Sequence, residues 1–340
     1  MIDTGSRKRI MLFAAVAGPA LALAIGYVIR ARNQERHPAA AAGADEVTRA
    51  RAAPHVFFRD LELEPEGTFG RLALAPLAAD GDGARARTVS PLSCVRVHVG
   101  GDRGLCLEMH DENARKATLR VFDGDLHELW STPLDGLPSR ARVSPDGKLG
   151  AVTVFVTGHD YSDGDMSTRT SIFDLRALRV LIKDMEELPV TRDGKRVEAV
   201  DENFWGVTFA PSGPTFHATL GAEGDTWLLE GDLEARTLRT LRKQVECPSR
   251  SPDGTKLAFK KRRPGTEGWR LHVLELATLQ ERALDEPRSI DDQVEWLDDA
   301  RILYKHGANI YALGIAPGSK PEVFLERASS PSVVRRAATQ

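Results

Sequence analysis

The chain holds 340 residues, of which 41% are apolar and 28% charged, a balance that excludes disordered, collagen-like and polytopic membrane chains. Forty-six basic residues oppose forty-nine acidic ones for a net charge of −3, too weak an overall field to argue for nucleic acid. The charge is uneven. Residues 1–54 carry eight Lys and Arg against four Asp and Glu, leaving 38 basic and 45 acidic residues, or −7, on the remainder.

The leader comes first. After Arg7-Lys8-Arg9 an uncharged apolar run extends from Ile10 to Ile29 and is closed by Arg30 and Arg32. Twenty residues at about 1.5 Å each span the roughly 30 Å hydrocarbon layer. The run exceeds the roughly 7–15 residues of a secretory apolar region, and basic residues follow it at once. Gly18-Pro19 and the lack of a polar face argue against a buried core helix. We therefore expect a short basic segment at 1–9 and an uncleaved transmembrane signal anchor at 10–29. The N-terminus is then cytoplasmic and the body extracytoplasmic, or secreted if the leader is cleaved. Residues 30–54, with Pro38-Ala-Ala-Ala-Ala-Gly-Ala, read as a flexible linker.

From residue 55 the sequence repeats itself. Ser144-Pro-Asp-Gly-Lys-Leu-Gly-Ala-Val and Ser251-Pro-Asp-Gly-Thr-Lys-Leu-Ala-Phe are two copies of one phrase, with weaker copies at Ala210-Pro-Ser-Gly and Trp296-Leu-Asp-Asp. Proline presets φ, Asp bonds its own backbone, and Gly accepts φ > 0, so the phrase predicts a tight turn. The alternating apolar residues that follow, such as Leu257 and Phe259, predict a strand. Aligned turns near Val99, Ser144, Ala210, Ser251 and Trp296 are spaced by 45, 66, 41 and 45 residues. The long interval holds an insertion from Met185 to Asn203. Four strands per unit of about 40–45 residues is the signature of a β-propeller. Ser330-Pro-Ser-Val-Val looks like an innermost strand, and His55-Val-Phe-Phe-Arg, Gly70-Arg-Leu-Ala-Leu and Ala86-Arg-Thr-Val look like the three that complete its unit. The reading is an all-β, six-bladed β-propeller over 55–335 with a 1+3 strand closure, followed by a short tail at 336–340.

The Ser-Pro-Asp-Gly repeats resemble those of TolB-like propeller proteins. Asn203-Phe-Trp-Gly-Val-Thr-Phe, Val245-Glu-Cys-Pro-Ser, Phe259-Lys-Lys-Arg and Asp291-Asp-Gln-Val-Glu-Trp-Leu-Asp resemble the actinobacterial "TolB-like translocation protein" group. The resemblance covers residues 55–335 and implies an extracytoplasmic six-bladed propeller. It does not carry over TolB's own role, because TolB has an α/β domain before its propeller that residues 31–54 are too short to supply.

Innermost strands precede the repeat turns, so their residues are expected to face the central channel. Alignment brings together Ser139, Arg140 and Arg142, Asn203 and Trp205, Glu246 and Cys247, and Asp291, Asp292 and Glu295. Such a ring suits a polar ligand or a cation, or ion pairs between blades. Asp160, Asp163 and Asp165 form an acidic cluster, a weak metal candidate without the terminal Glu of a calcium loop, and an exposed turn is the simpler reading. His159, His217 and His272 lack metal-ligand spacing, and no Gly-x-Ser-x-Gly, His-Glu-x-x-His or phosphate-cradling loop occurs. Cys94 and Cys106 lie on consecutive strands close enough for a disulfide, which export permits, although reduced, buried thiols are expected for all three cysteines. Lys260-Lys261-Arg262-Arg263 reads as a solvated turn, its cations open to pairing with acids of a neighbouring blade, and the five tryptophans read as core. The chain is thus expected to be a membrane-anchored, non-enzymatic scaffold needing no cofactor. Its expected partner is an envelope protein or a small polar ligand, not nucleic acid. A propeller-type hydrolase with a cation or polar ligand in the channel is the alternative.

Overall fold

A computed structural model describes residues 42–63, 67–77, 86–113, 115–158, 166–266 and 268–335. The anchor at 10–29, the tail at 336–340 and the cluster of Asp160, Asp163 and Asp165 lie outside the described residues. Among those described, no helix is long and apolar enough to cross a membrane. The chain divides into two compact units. The smaller comprises Met1–Ala41 and Glu62–Phe69, and in its described part Thr68 Oγ1 donates to Glu62 O at 3.4 Å. The larger comprises Ala42–Leu61 and Gly70–Gln340 and holds the propeller.

Blade I contributes β1 (His55–Asp60), β2 (Arg71–Pro76) and β3 (Thr88–Ser93). Blade II is β4 (Arg96–Gly100), β5 (Arg103–Asp111), β6 (Lys116–Asp123) and β7 (Glu128–Asp135). Blade III is β8 (Leu137–Val143), β9 (Leu149–Thr157), β10 (Ser167–Asp174) and β11 (Arg179–Ile182). The Met185–Asn203 insertion then adds β12 (Val190–Arg192) and β13 (Lys195–Arg196). They extend the outer edge of blade IV, which is β14 (Asn203–Phe209), β15 (Thr215–Ala222), β16 (Asp225–Asp232) and β17 (Thr237–Lys243). Blade V is β18 (Glu246–Arg250), β19 (Lys256–Arg262), β20 (Trp269–Glu275) and β21 (Gln280–Ala283). Blade VI is β22 (Glu295–Asp298), β23 (Arg301–His306), β24 (Asn309–Gly314) and β25 (Glu322–Leu325). The last strand, β26 (Ala328–Val334), pairs antiparallel with β1, so blade I has the order β26-β1-β2-β3. The fold is a six-bladed β-propeller.

The repeated phrase folds the same way twice. Ser144 Oγ donates to Asp146 Oδ1 at 2.7 Å and accepts Leu149 N–H at 2.9 Å, while Gly147 N–H reaches Ser144 O at 2.9 Å. Ser251, Asp253, Gly254 and Lys256 repeat the set at 2.6, 2.9 and 2.9 Å. Gly147 and Gly254 sit at φ of 71° and 73°, in the left-handed region that favours glycine. In both copies the serine hydroxyl at the first position closes the turn from inside.

Among the described residues, the buried apolar side chains form seams between neighbouring blades. Phe57 and Leu72 meet Cys106 and Phe122, Leu107 meets Val152, and Ile172 meets Phe204. Leu228 meets Phe259, Val273 meets Ile302, and Leu303 meets Val56. Blades are buried on both faces, and Phe216–Leu220 and Val56–Phe58 are enclosed without a break. Innermost strands leave one backbone edge unpaired within their sheet, and hydroxyls of the neighbouring blade cover it. Ser330 Oγ accepts Val97 N–H at 3.1 Å and Ser332 Oγ accepts Val99 N–H at 2.8 Å. Thr219 Oγ1 accepts Cys247 N–H at 2.9 Å.

Two expectations are corrected. Within the stretch read as a flexible linker, Ala44–Arg51 forms helix α1, with acidic residues in its first turn and basic ones in its last. Its Val47 is buried against Phe57 and Leu72. Cys94 and Cys106 are not reduced but bonded to each other, with Cα atoms 5.3 Å apart. Val95 N–H donates to Leu107 O at 2.8 Å, prolonging the β4–β5 ladder and setting the two cysteines side by side. The bridge ties the passage from blade I to β5. Reducing it is expected to lower the unfolding free energy by about 3 kcal/mol, as chain entropy predicts for so short a loop. Urea melts with and without reductant check this; coincident curves contradict it.

Candidate functional site at the propeller axis

Charged residues of the innermost strands meet across the axis in two tiers. In the first, Arg142 of blade III reaches Glu295 of blade VI, the blade opposite in a ring of six. Nη1 lies 2.6 Å from Oε2, and Nη2 donates to Val294 O at 3.1 Å. His98 of blade II adds its Nε2 at 3.3 Å from the same carboxylate, while its Nδ1 accepts Val143 N–H at 3.0 Å. Glu295 Oε1 accepts Val333 N–H of blade I at 3.2 Å. One carboxylate therefore joins four blades. Beside it, Gln293 Nε2 donates to Val207 O at 3.0 Å and Pro248 O at 2.8 Å, which brings in blades IV and V.

The second tier stands at the opposite mouth. Lys260, fully enclosed, pairs with Asp291 and lies 3.6 Å from Glu246 Oε2. Arg140 Nη2 approaches Asp291 Oδ1 at 3.5 Å, again across the axis. Glu246 Oε1 accepts from Trp269 Nε1 and Arg262 Nε, each at 3.2 Å. The Lys260 ammonium also lies 4.1 Å from the centre of the Trp269 ring, a cation–π contact.

Between the tiers little space remains, about 30 Å³ beside Arg96, Arg140 and Ser330. Above the first tier a bowl of about 600 Å³ opens at the turn end. Gly100, Pro145, Pro211 and Pro252 form its rim, and Arg142 and Glu295 line it. The channel is thus plugged by its own side chains, with an open bowl on one side.

Burial raises the Glu295 carboxyl, but His98, Arg142 and Arg335 outweigh it and hold it at about 2. Burial and the Arg142 charge push His98 down, so its imidazole is neutral. Burial likewise pushes His217 and His272 down to about 4. Burial would also raise Asp291, yet Lys260, Arg140 and Arg96 hold it below the usual carboxylate range. The signs agree. The three histidines have folded values below the unfolded value of about 6.5, so the unfolded chain takes up protons first. Stability is therefore lost as pH falls from about 6.5 towards 4. Glu295 carries the loss further, from its unfolded value of about 4.3 down to about 2. Urea midpoints at pH 7, 5.5 and 4 are expected to fall in that order; a flat profile contradicts the assignment.

The structure gathers Ser139, Arg140, Arg142, Glu246, Asp291 and Glu295 around the axis. Asp292 joins them, lining the small space beside Arg96, Arg140 and Ser330, whereas Trp205 and Asn203 are engaged elsewhere. Trp205 is packed in a cluster with Leu137, Phe155, Cys247 and Trp269. Asp292 also caps backbone, accepting Lys305 N–H at 3.0 Å. Asn203 Oδ1 accepts Thr168 N–H at 2.7 Å in the neighbouring blade. Lys260 corrects the reading of its basic run as a solvated turn: it sits directly opposite Glu246 in the β18–β19 ladder, on the inward side. Lys261 and Arg262 pair with Glu281 and Glu246 of the same blade. His98 was missed, although Arg96-Val-His-Val-Gly precedes a turn as the other inner strands do. Cys247 is buried, and burial pushes its thiol up. Asp123, Asp125 and His127 also lie close together, but Asp123 Oδ1 accepts the backbone N–H of both others, and Arg51 pairs with Asp125 at 2.9 Å. That arrangement is a turn.

No family model and no curated protein matches the sequence. Solved structures do match. TolB from Acinetobacter baumannii superposes with a TM-score of 0.56 at 16% identity, over 82% of this chain and 66% of that one. The chain thus spans just under two thirds of that TolB's length. A chain of a nidogen/laminin complex gives a TM-score of 0.54 at 13% identity, over 84% of this chain and 100% of that one. Both likenesses are of fold. They agree with the six-bladed, TolB-like propeller that the repeats imply.

Proposed function

We propose that this propeller is a non-enzymatic scaffold, anchored in the cell membrane through residues 10–29 and held on its extracytoplasmic side. Its partner or polar ligand seats in the bowl at the turn end. The observation that carries the reading is the plugged axis: the charged groups there pair across it, and the open surface lies above them. Two further points support it. The Cys94–Cys106 bridge suits an oxidising compartment, and one of the similar solved chains belongs to a complex between proteins. Rigid rings of blades also offer a broad face for recognition. The alternative, a hydrolase using channel carboxylates and a cation, is weaker. Glu246 and Glu295 are each already neutralised by Lys260, Arg262 or Arg142, so an added metal ion would meet like charge.

We also read blade I, built from both chain ends, as the clasp that closes the ring and removes its open edges. Deleting residues 328–340 is expected to expose the β1 edge and abolish the cooperative melt; an unchanged melt contradicts the clasp.

The scaffold is tested by photocrosslinking the full chain in membranes. A crosslinker at Pro211 on the rim is expected to capture a partner or ligand that one at Val180 on an outer strand does not. Equal capture from both positions, or none from the rim, contradicts the reading. Protease added outside intact cells is expected to reach the propeller, and full protection there places it on the wrong side.

A further inference from the structure

The bowl carries charge that its own walls do not balance. Arg142, Arg250 and Arg335 line it against one carboxylate, Glu295, which Arg142 and His98 already engage. This excess of cations stands out in a body whose net charge is −7. Arg250, like Arg335 on Trp296 O, makes a single side-chain hydrogen bond. Its Nε donates to Gly254 O at 3.1 Å, which fixes the guanidinium against its own turn. Its two terminal nitrogens have no acceptor among the described residues. The group is half-buried, and burial pushes its pKa down, with Glu230 pulling the other way. Glu230 is itself held by Arg239 at 2.7 and 3.0 Å. Thr208 stands beside Arg250. Its Oγ1 accepts Arg250 N–H at 3.0 Å, which leaves the hydroxyl proton to give. Arg142 Nε is likewise buried without a partner among the described residues.

We infer that the bowl binds an oxyanion, a carboxylate or phosphate group, gripped by the terminal nitrogens of Arg250 with help from Thr208. This rests on the reading of the bowl as the binding seat and names the chemistry recognised there. The free groups are donors and cations: a guanidinium offers no acceptor, and its paired terminal nitrogens match two oxygens of a carboxylate or phosphate. A cation would be repelled, and an apolar ligand would leave the guanidinium desolvated and unpaired. The anion belongs either to a free small molecule or to an acidic group of the partner.

The test titrates the purified full chain with sodium phosphate and with sodium succinate at constant ionic strength, against sodium chloride. Binding of at least one probe is expected for the wild type and for Arg236→Gln, a change at an exposed turn. Arg250→Gln is expected to weaken it by about tenfold or more while melting near the wild type in chloride. Should Arg250→Gln not fold, Arg250→Lys keeps the charge, loses the fork and is expected to weaken binding too. A partner crosslinked from Pro211 and displaced by phosphate identifies the anion as the partner's own; phosphate binding that displaces nothing identifies a free anion. No binding by the wild type, or equal binding by the Arg250 variant, overturns the inference. A partner still captured from the rim in that case leaves the scaffold reading standing.

Discussion

Arg142→Met is expected to lower the unfolding free energy by about 3–5 kcal/mol, the cost of leaving a buried carboxylate without its counter-charge. The effect is large because Glu295 is the shared acceptor of blades I, II and III as well as a residue of blade VI. Removing Arg142 strands that charge, and His98, neutral and itself held down by burial, is a poor substitute. The companion change Glu295→Gln removes the stranded charge. The double variant is therefore expected to be more stable than Arg142→Met alone, in spite of carrying one more substitution. Urea denaturation of the four proteins decides it. A single variant within about 1 kcal/mol of wild type, the range of an exposed ion pair, contradicts the trans-axial pairing.

Lys260→Met is expected to cost about 3 kcal/mol, by the same logic at the second tier. Asp291 and Glu246 both lose the ammonium, while Arg140 and the pair Arg262 and Trp269 offset part of the loss. The neighbouring Lys261→Met provides the contrast. Its ammonium pairs with Glu281 on the outer part of the blade, where about 1 kcal/mol or less is expected. Adjacent lysines in one basic run thus differ severalfold in effect. Equal effects from the two substitutions, measured in the same melts, contradict the buried position assigned to Lys260.

That contrast also shows what was legible in the sequence. The Ser-Pro-Asp-Gly phrase carries its own turn chemistry, so repeat length and innermost strands follow from it directly. Counting back from each turn placed Arg140, Arg142, Glu246 and Glu295 near the axis. The same count misplaced Trp205, because the facing of a residue depends on local register. The β14–β15 register shifts between Trp205 and Thr208. Lys260 was hidden for another reason. It sits on the second strand of its blade, and only the cross-strand pairing with Glu246 reveals that it points inward. The disulfide likewise depends on one additional ladder bond, from Val95 to Leu107, that composition does not announce. Helix α1 is too short for periodicity to signal it, and tertiary packing of Val47 stabilises it.

Recognition in the bowl above a plugged axis leaves a footprint on the backbone. Amide hydrogen exchange of the full chain, alone and in the complex captured from membranes, tests it most directly. New protection is expected at the rim turns, residues 144–147, 210–213 and 251–254, with the outer strands unchanged. Protection confined to the opposite mouth or to the outer strands would contradict it.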